Sequence, residues 1–148
     1  MSANQAHLQY ARSAAETSSP GDLIVMMYKG AIKFLTVAHL RNDAQDLEGV
    51  NRNVLRAQEI ILELMISVDV SAGPVGRNLF DLYEFMHRHL VKANMAKDVG
   101  MIDEVVGLLR ELLGAWEQAL ASDRVVKPLR SVVNFGGNGR SSFASASA

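Results

Sequence analysis

The stretch that decides the fold is SPGDLIVMMYKGAIKFL, residues 19–35. It opens as a helix opens. Ser19 can accept a hydrogen bond from a free first-turn amide, Pro20 takes the first helical position, where no N–H is needed, and Asp22 sits at the positive end of the helix dipole. The helix then declines to be amphipathic. Leu23, Met27, Gly30, Phe34 and Val37 form one stripe, and Ile24, Tyr28, Ala31, Leu35 and Ala38 form a second beside it. A helix of an antiparallel bundle needs about one apolar face, so this one carries a stripe to be explained.

Working outward, helix one runs from Pro20 to about Asn42, helix two from Asp46 to Val68, helix three from Pro74 to Met95 and helix four from Asp98 to Ala121. The prolines, Pro20, Pro74 and Pro128, all sit at boundaries. Helix two shows Leu47, Val50, Val54, Ala57, Ile61, Leu64 and Val68, and helix four shows Ile102, Val105, Leu109, Leu112, Trp116 and Ala119. Both rows step by three and four residues, the spacing of a bundle seam. Helix three repeats it with Leu79, Leu82, Met86, His89 and Ala93. Short connections make neighbouring helices antiparallel. The expected fold is therefore all-α: an antiparallel four-helix bundle over 19–122, with flexible segments at 1–18 and 123–148. The second of these ends in NFGGNGRSSFASASA, rich in glycine and serine. Val125, Val126, Leu129, Val132, Val133 and Phe135 are the tail residues with something to bury if it folds back onto the bundle.

Composition narrows the function. A chain of 148 residues that is 49% hydrophobic is long enough for one domain with a real core. A net charge of −1 gives no electrostatic case for nucleic acid, and the basic residues do not gather on one helical face with aromatic neighbours. The absence of cysteine removes disulfides, thiolate metal sites and a cysteine nucleophile. The N-terminal MSANQAHLQYARSAAET lacks the pattern of a secretion signal. Lys29 and Lys33 interrupt the longest apolar run before it reaches the ~20 residues of a membrane span. No membrane insertion is expected, and the cytosol is the expected compartment.

Chemistry is sparse. His87 and His89, two apart on a helix, point to different sides and cannot share a metal. Glu84-Phe85-Met86-His87 has the Glu-x-x-His spacing of di-iron bundles, but those sites need a second copy and two more inward glutamates, which the sequence lacks. The glycines of NFGGNG follow no strand and open no helix, unlike a phosphate loop. No nucleophile lies in reach of a base by any familiar pattern. No catalytic residue, metal ligand or cofactor is assigned. What remains is surplus apolar surface: the second stripe of helix one, Leu55, Leu62 and Met65 on helix two, and Met101, Val106, Leu108, Leu113 and Leu120 on helix four. A wider core, one helix wedged among the other three, a dimer seam or a groove for an apolar partner would each use it.

Four blocks of the chain resemble the FliS family of flagellar export chaperones. They are ETSSPGDLIVMMYKGAIKFL (16–35) preceded by Tyr10, RAQEIILELMISVDV (56–70), GPVGRNLFDLYEFM (73–86) and KANMAKDVGMIDEVVGLLRELLGAWEQAL (92–120). Their order and spacing fit that family from about Tyr10 to Ala121. Lys29 departs from it, standing where the family usually has Asp, Glu or Asn. The resemblance implies a helical bundle that binds the disordered C-terminal segment of flagellin, prevents premature polymerisation and helps deliver it to the type III export apparatus. Export-gate components would be further partners, and the protein a monomer or weak homodimer. The partner-binding set expected on this basis is Tyr10, Ile24, Tyr28, Ala31, Leu35, Leu55, Leu62 and Met65, with Tyr10 and its flanking residues acting as a lid. A self-associating bundle adaptor without a flagellin client is the alternative.

Overall fold

The computed structural model describes Gln5 and residues 19–122, which form four helices: α1 (Pro20–Asp43), α2 (Leu47–Ser67), α3 (Pro74–Ala96) and α4 (Val99–Leu120). Every boundary lies within a residue or so of its sequence expectation, because the capping residues are explicit. The Ser19 hydroxyl accepts from the Asp22 amide at 3.1 Å and the Asp22 carboxylate accepts from the Ser19 amide at 3.3 Å, a reciprocal capping box ahead of Pro20. Asp46 accepts from the Gly49 amide at 2.9 Å, and Asp98 from the Met101 amide at 3.3 Å.

The corners are tight. Gln45, at φ 59°, takes the left-handed conformation that turns the chain out of α1, and the Asp46 amide returns to the Arg41 carbonyl at 2.8 Å. Lys97, at φ 50°, does the same after α3, and its ammonium donates to the Asn94 carbonyl at 2.7 Å. Between α2 and α3 lies a single 3₁₀ turn, Val70–Ala72, which the sequence pattern does not announce. Asp69 caps it by accepting from the Ser71 amide at 3.0 Å. Gly73 then carries φ 132° and ψ −175°, a region closed to residues with a side chain.

The helices form a ring in which each packs on its two sequence neighbours and α1 closes against α4. Each seam carries its own bridge. The Arg56 guanidinium lies over the Phe34 ring, 5.6 Å from its centroid, joining α2 to α1. Asn94 donates to Asn51 at 2.8 Å, joining α3 to α2. His89 meets Glu104 at 2.8 Å, joining α3 to α4, and His39 meets Asp103 at 2.9 Å, joining α1 to α4. At the other end of the α1–α4 seam the Leu120 side chain packs against the α1 backbone: a Cβ on Gly21 would lie 2.4 Å from a Leu120 methyl.

This ring answers the question of the opening stretch. Leu23, Met27 and Phe34 turn toward the α2 side, while Ile24, Tyr28, Ala31, Leu35 and Ala38 fill the centre. Both stripes are used, and the expected spare face of helix one is interior. Length and composition alone would let α1 cross a membrane; here its apolar residues from Leu23 to Ala38 are buried in the bundle, with Asp22, Lys29 and Lys33 exposed on its outer side.

Candidate functional site

Surplus apolar surface does exist, on a different helix. On α2, Leu55, Leu62 and Ile66 follow Asn51 at helical spacing and so share its side, the side that faces α3. Leu55 and Leu62 are each 44% exposed and Ile66 is 71% exposed, with Met65 half-buried beside them. Opposite, on α3, Phe80, His87 and Val91 precede Asn94 on the side that faces α2. Because the two helices are antiparallel, Leu55 lies level with Val91, and Met65 and Ile66 lie level with Phe80. The outer surface of the α2–α3 seam is therefore a shallow apolar groove, running from the Asn51–Asn94 bridge to the Val70–Ala72 turn. Val70 and Val75 continue it round the end of the bundle, both more than a third exposed.

The groove is charged unevenly. Asp69 and Arg77 stand at the end near the 3₁₀ turn, Glu59 and Glu84 lie midway, and Arg52, Lys92 and Lys97 stand toward the other end. Glu84 is held by Arg88 at 3.0 Å, and the Arg77 guanidinium lies over the Phe80 ring, 5.7 Å from its centroid. An extended or helical apolar segment would find a floor for its side chains and charges of both signs along the walls.

The interior below the groove is rigidly specified. The Tyr28 and Tyr83 hydroxyls meet at 2.5 Å across the diagonal of the ring, linking α1 to α3. Burial drives the pKa of both phenols well above its ordinary value; for Tyr28 the hydrogen bond with Tyr83 works in the opposite direction and loses. At the rim of the α1–α4 seam, the hydrogen bond to Asp103 raises the His39 pKa above its usual value.

Placed on this structure, the expected binding residues divide. Ile24, Tyr28, Ala31 and Leu35 are buried at 1% exposure or less. Their side chains serve the core and offer nothing to a partner in this arrangement, which corrects the expectation that the second stripe of helix one is a binding face. The reason is that α1 makes the two most extensive seams of the ring, with α2 and with α4, so both of its stripes find protein. Leu55, Leu62 and Met65 come together in the groove. Tyr10 lies outside the described residues, as do the segments 1–18 and 123–148 except for Gln5. Ile66, Val91 and Met95 (83% exposed) were passed over in the sequence reading. Ile66 at least carried a signal, four residues beyond Leu62 and eleven beyond Leu55. The surplus on helix four, in contrast, is buried or half-buried throughout. Among the described residues no group of three or more His, Asp or Glu side chains is arranged to hold a metal ion.

A family model described as "Flagellar protein FliS" matches residues 2–123. The chain is 33% identical over 124 residues to the flagellar secretion chaperone FliS of Bacillus subtilis (strain 168), covering 84% of this chain and 92% of that protein. It is 35% identical over 108 residues to the Salmonella typhimurium protein of the same name, covering 72% and 80%. It is 30% identical over 128 residues to the Campylobacter jejuni one, covering 86% and 100%.

Proposed function

The chain belongs to the FliS family of flagellar secretion chaperones, and on that premise we propose that its client is the disordered C-terminal segment of flagellin, held in the cytosol along the α2–α3 groove until export. One observation carries this reading. Leu55, Leu62 and Ile66 remain exposed in a row on one seam, whereas the exposed Leu40 and Leu47, the latter expected in the helix-two seam, stand apart at the α1–α2 corner. A monomer rarely keeps such a row without a use.

The physics suits a chaperone. A disordered client spends about 2–5 kcal/mol or more on ordering itself. Half-exposed leucines return on the order of 1 kcal/mol each when covered, so several anchors along one groove are needed, and none holds the client permanently. Methionines such as Met65 and Met95 repack around irregular partners. Covering the client's apolar residues keeps them from pairing with other flagellin chains, and a groove open along its length lets the segment leave end-first at the export apparatus.

Calorimetric titration with a flagellin C-terminal peptide of roughly 40 residues, long enough to span the ~30 Å groove as a helix with chain to spare, tests the reading. One-to-one binding with a negative heat-capacity change, weakened at least tenfold by Leu62→Asp and unchanged by Lys33→Asp on the outer side of α1, is the expected result. No binding, together with a stable dimer that Leu62→Asp splits, would replace the client with a second copy of the chain.

A further inference from the structure

We propose that the Tyr28–Tyr83 hydroxyl pair is a latch: α3 leaves the ring only by breaking it, so the pair holds the α3 wall of the groove shut. The latch belongs to the free protein and stands whether or not the groove takes flagellin.

Both phenols are fully buried, ring and hydroxyl alike, and a buried hydroxyl needs a partner. Each finds the other, 55 residues away in sequence and on the diagonal helix. The rings themselves do not stack; they lie at 52° with centroids 6.3 Å apart, and the hydroxyls make the link. Apolar side chains of the same size would fill this space and tolerate some sliding. A hydrogen bond does not, because it is lost within a fraction of its own length. Each hydroxyl then sits in an apolar interior with no partner until water reaches it. An outward movement of α3 is therefore resisted from its start, and the cost is recovered only when α3 is far enough out for water to enter.

α3 is the helix on which such a latch acts. Its seam with α4 is the sparsest of the ring, and its buried residues form a single file with Tyr83 in its middle. The bridges to adjacent helices, His89 to Glu104 and Asn94 to Asn51, both lie in its second half. The first half begins without a side-chain cap. There Arg77 spends its charge within the helix, on Asp81 at 3.2 Å and over the Phe80 ring. Among the described residues, Tyr83 is the first position from that loose end at which a hydrogen bond ties α3 to another helix.

Native-state hydrogen exchange of the full-length Tyr28→Phe protein tests the latch. The substitution lies on α1, so it reaches α3 only through the pair. An opening that breaks the pair costs less in the variant, because the Tyr83 hydroxyl has already lost its partner. The expected result is that α3 amides exchange at least about fivefold faster than in the unaltered chain, the lower end for a buried hydroxyl left unpaired. The slowest amides of α1, which exchange through global unfolding, should accelerate by the same factor. Tyr83→Phe should again give equal factors in α3 and α1. Acceleration in α1 alone would mean that α3 opens with the pair intact, and overturns the latch. Acceleration in neither would mean that the hydroxyls hold nothing, with the same consequence. Equal protection of α3 and α1 in the unaltered chain overturns it too, since α3 then has no exit of its own to guard.

Discussion

At the scale of single residues, exposure separates two kinds of leucine that look alike in sequence. Leu35 is fully buried, and Leu35→Ala should cost about 2–5 kcal/mol, the range for a cavity in a bundle core. Leu62→Ala should cost under ~1 kcal/mol, because half of that side chain already faces water. Chemical denaturation of both variants checks the contrast, and similar losses would mean that Leu62 belongs to the core. The Tyr28–Tyr83 pair makes a second prediction. Removing one hydroxyl leaves its buried partner short of a hydrogen bond, at about 1–3 kcal/mol, whereas removing both leaves no such orphan between them. Tyr28→Phe with Tyr83→Phe should therefore destabilise by less than the sum of the single changes; simple additivity would mean the hydroxyls do not act as a pair. Both phenols are held protonated by burial, so their pKa values in the folded state lie above the unfolded value of about 10. The stability this confers is fully present below pH ~10 and is lost as pH rises above it, since only the unfolded chain then releases the protons. Tyrosinate absorbance from these two residues should appear together with loss of helix in one cooperative alkaline step. Absorbance that rises ahead of unfolding would show the pair to be wetter than its surroundings indicate.

At the scale of elements, the corners carry the next test, and they also explain what the sequence made legible. Gln45 holds a left-handed conformation with an exposed side chain. Gln45→Gly should stabilise the fold by about 0.5–1 kcal/mol, because glycine enters that region without the Cβ cost. Gly73→Ala should destabilise by about 1–3 kcal/mol, since φ 132° with ψ −175° excludes a side chain. Thermal melts of the two variants should move in opposite directions; a shared direction would point to corners that readjust. Helix boundaries could be read from the sequence because Ser19, Asp46, Asp98 and Pro74 announce them locally. The stripes could be read because each seam keeps its spacing over several turns. What could not be read was how many neighbours each stripe would find. Ile24, Tyr28, Ala31 and Leu35 looked spare because helix one was allotted one face, and the ring gives it two. Leu55 and Leu62 were identified as surplus, but only the Asn51–Asn94 bridge shows that they lie beside α3 on the outside of the seam. Pattern records periodicity along one helix; the far wall of a groove belongs to another.

At the scale of the whole molecule, the four helices are not equally secured, and the difference bears on how a groove chaperone can work. α1 buries residues along its whole length, from Leu23 to Ala38, between two neighbours. α3 is held by a single file, Gly76, Leu79, Tyr83, Met86, Leu90 and Ala93. It starts at Gly73 without a side-chain cap, and it meets α4 over the sparsest of the four seams. Local opening follows such differences, with the least buried element opening at the lowest free energy. Native-state hydrogen exchange should therefore find the α3 amides least protected, and those of α1 and the core face of α2 most protected, close to global unfolding. Uniform protection across the four helices would make the bundle a single cooperative unit and leave α3 no separate motion. If α3 does open first, the groove has one firm wall, α2, and one compliant wall. A segment laid between them would add apolar contacts to both, so bound flagellin peptide should slow exchange in α3 more than in any other helix. Slowing confined to α1 would instead return the binding site to the stripe that the ring now buries.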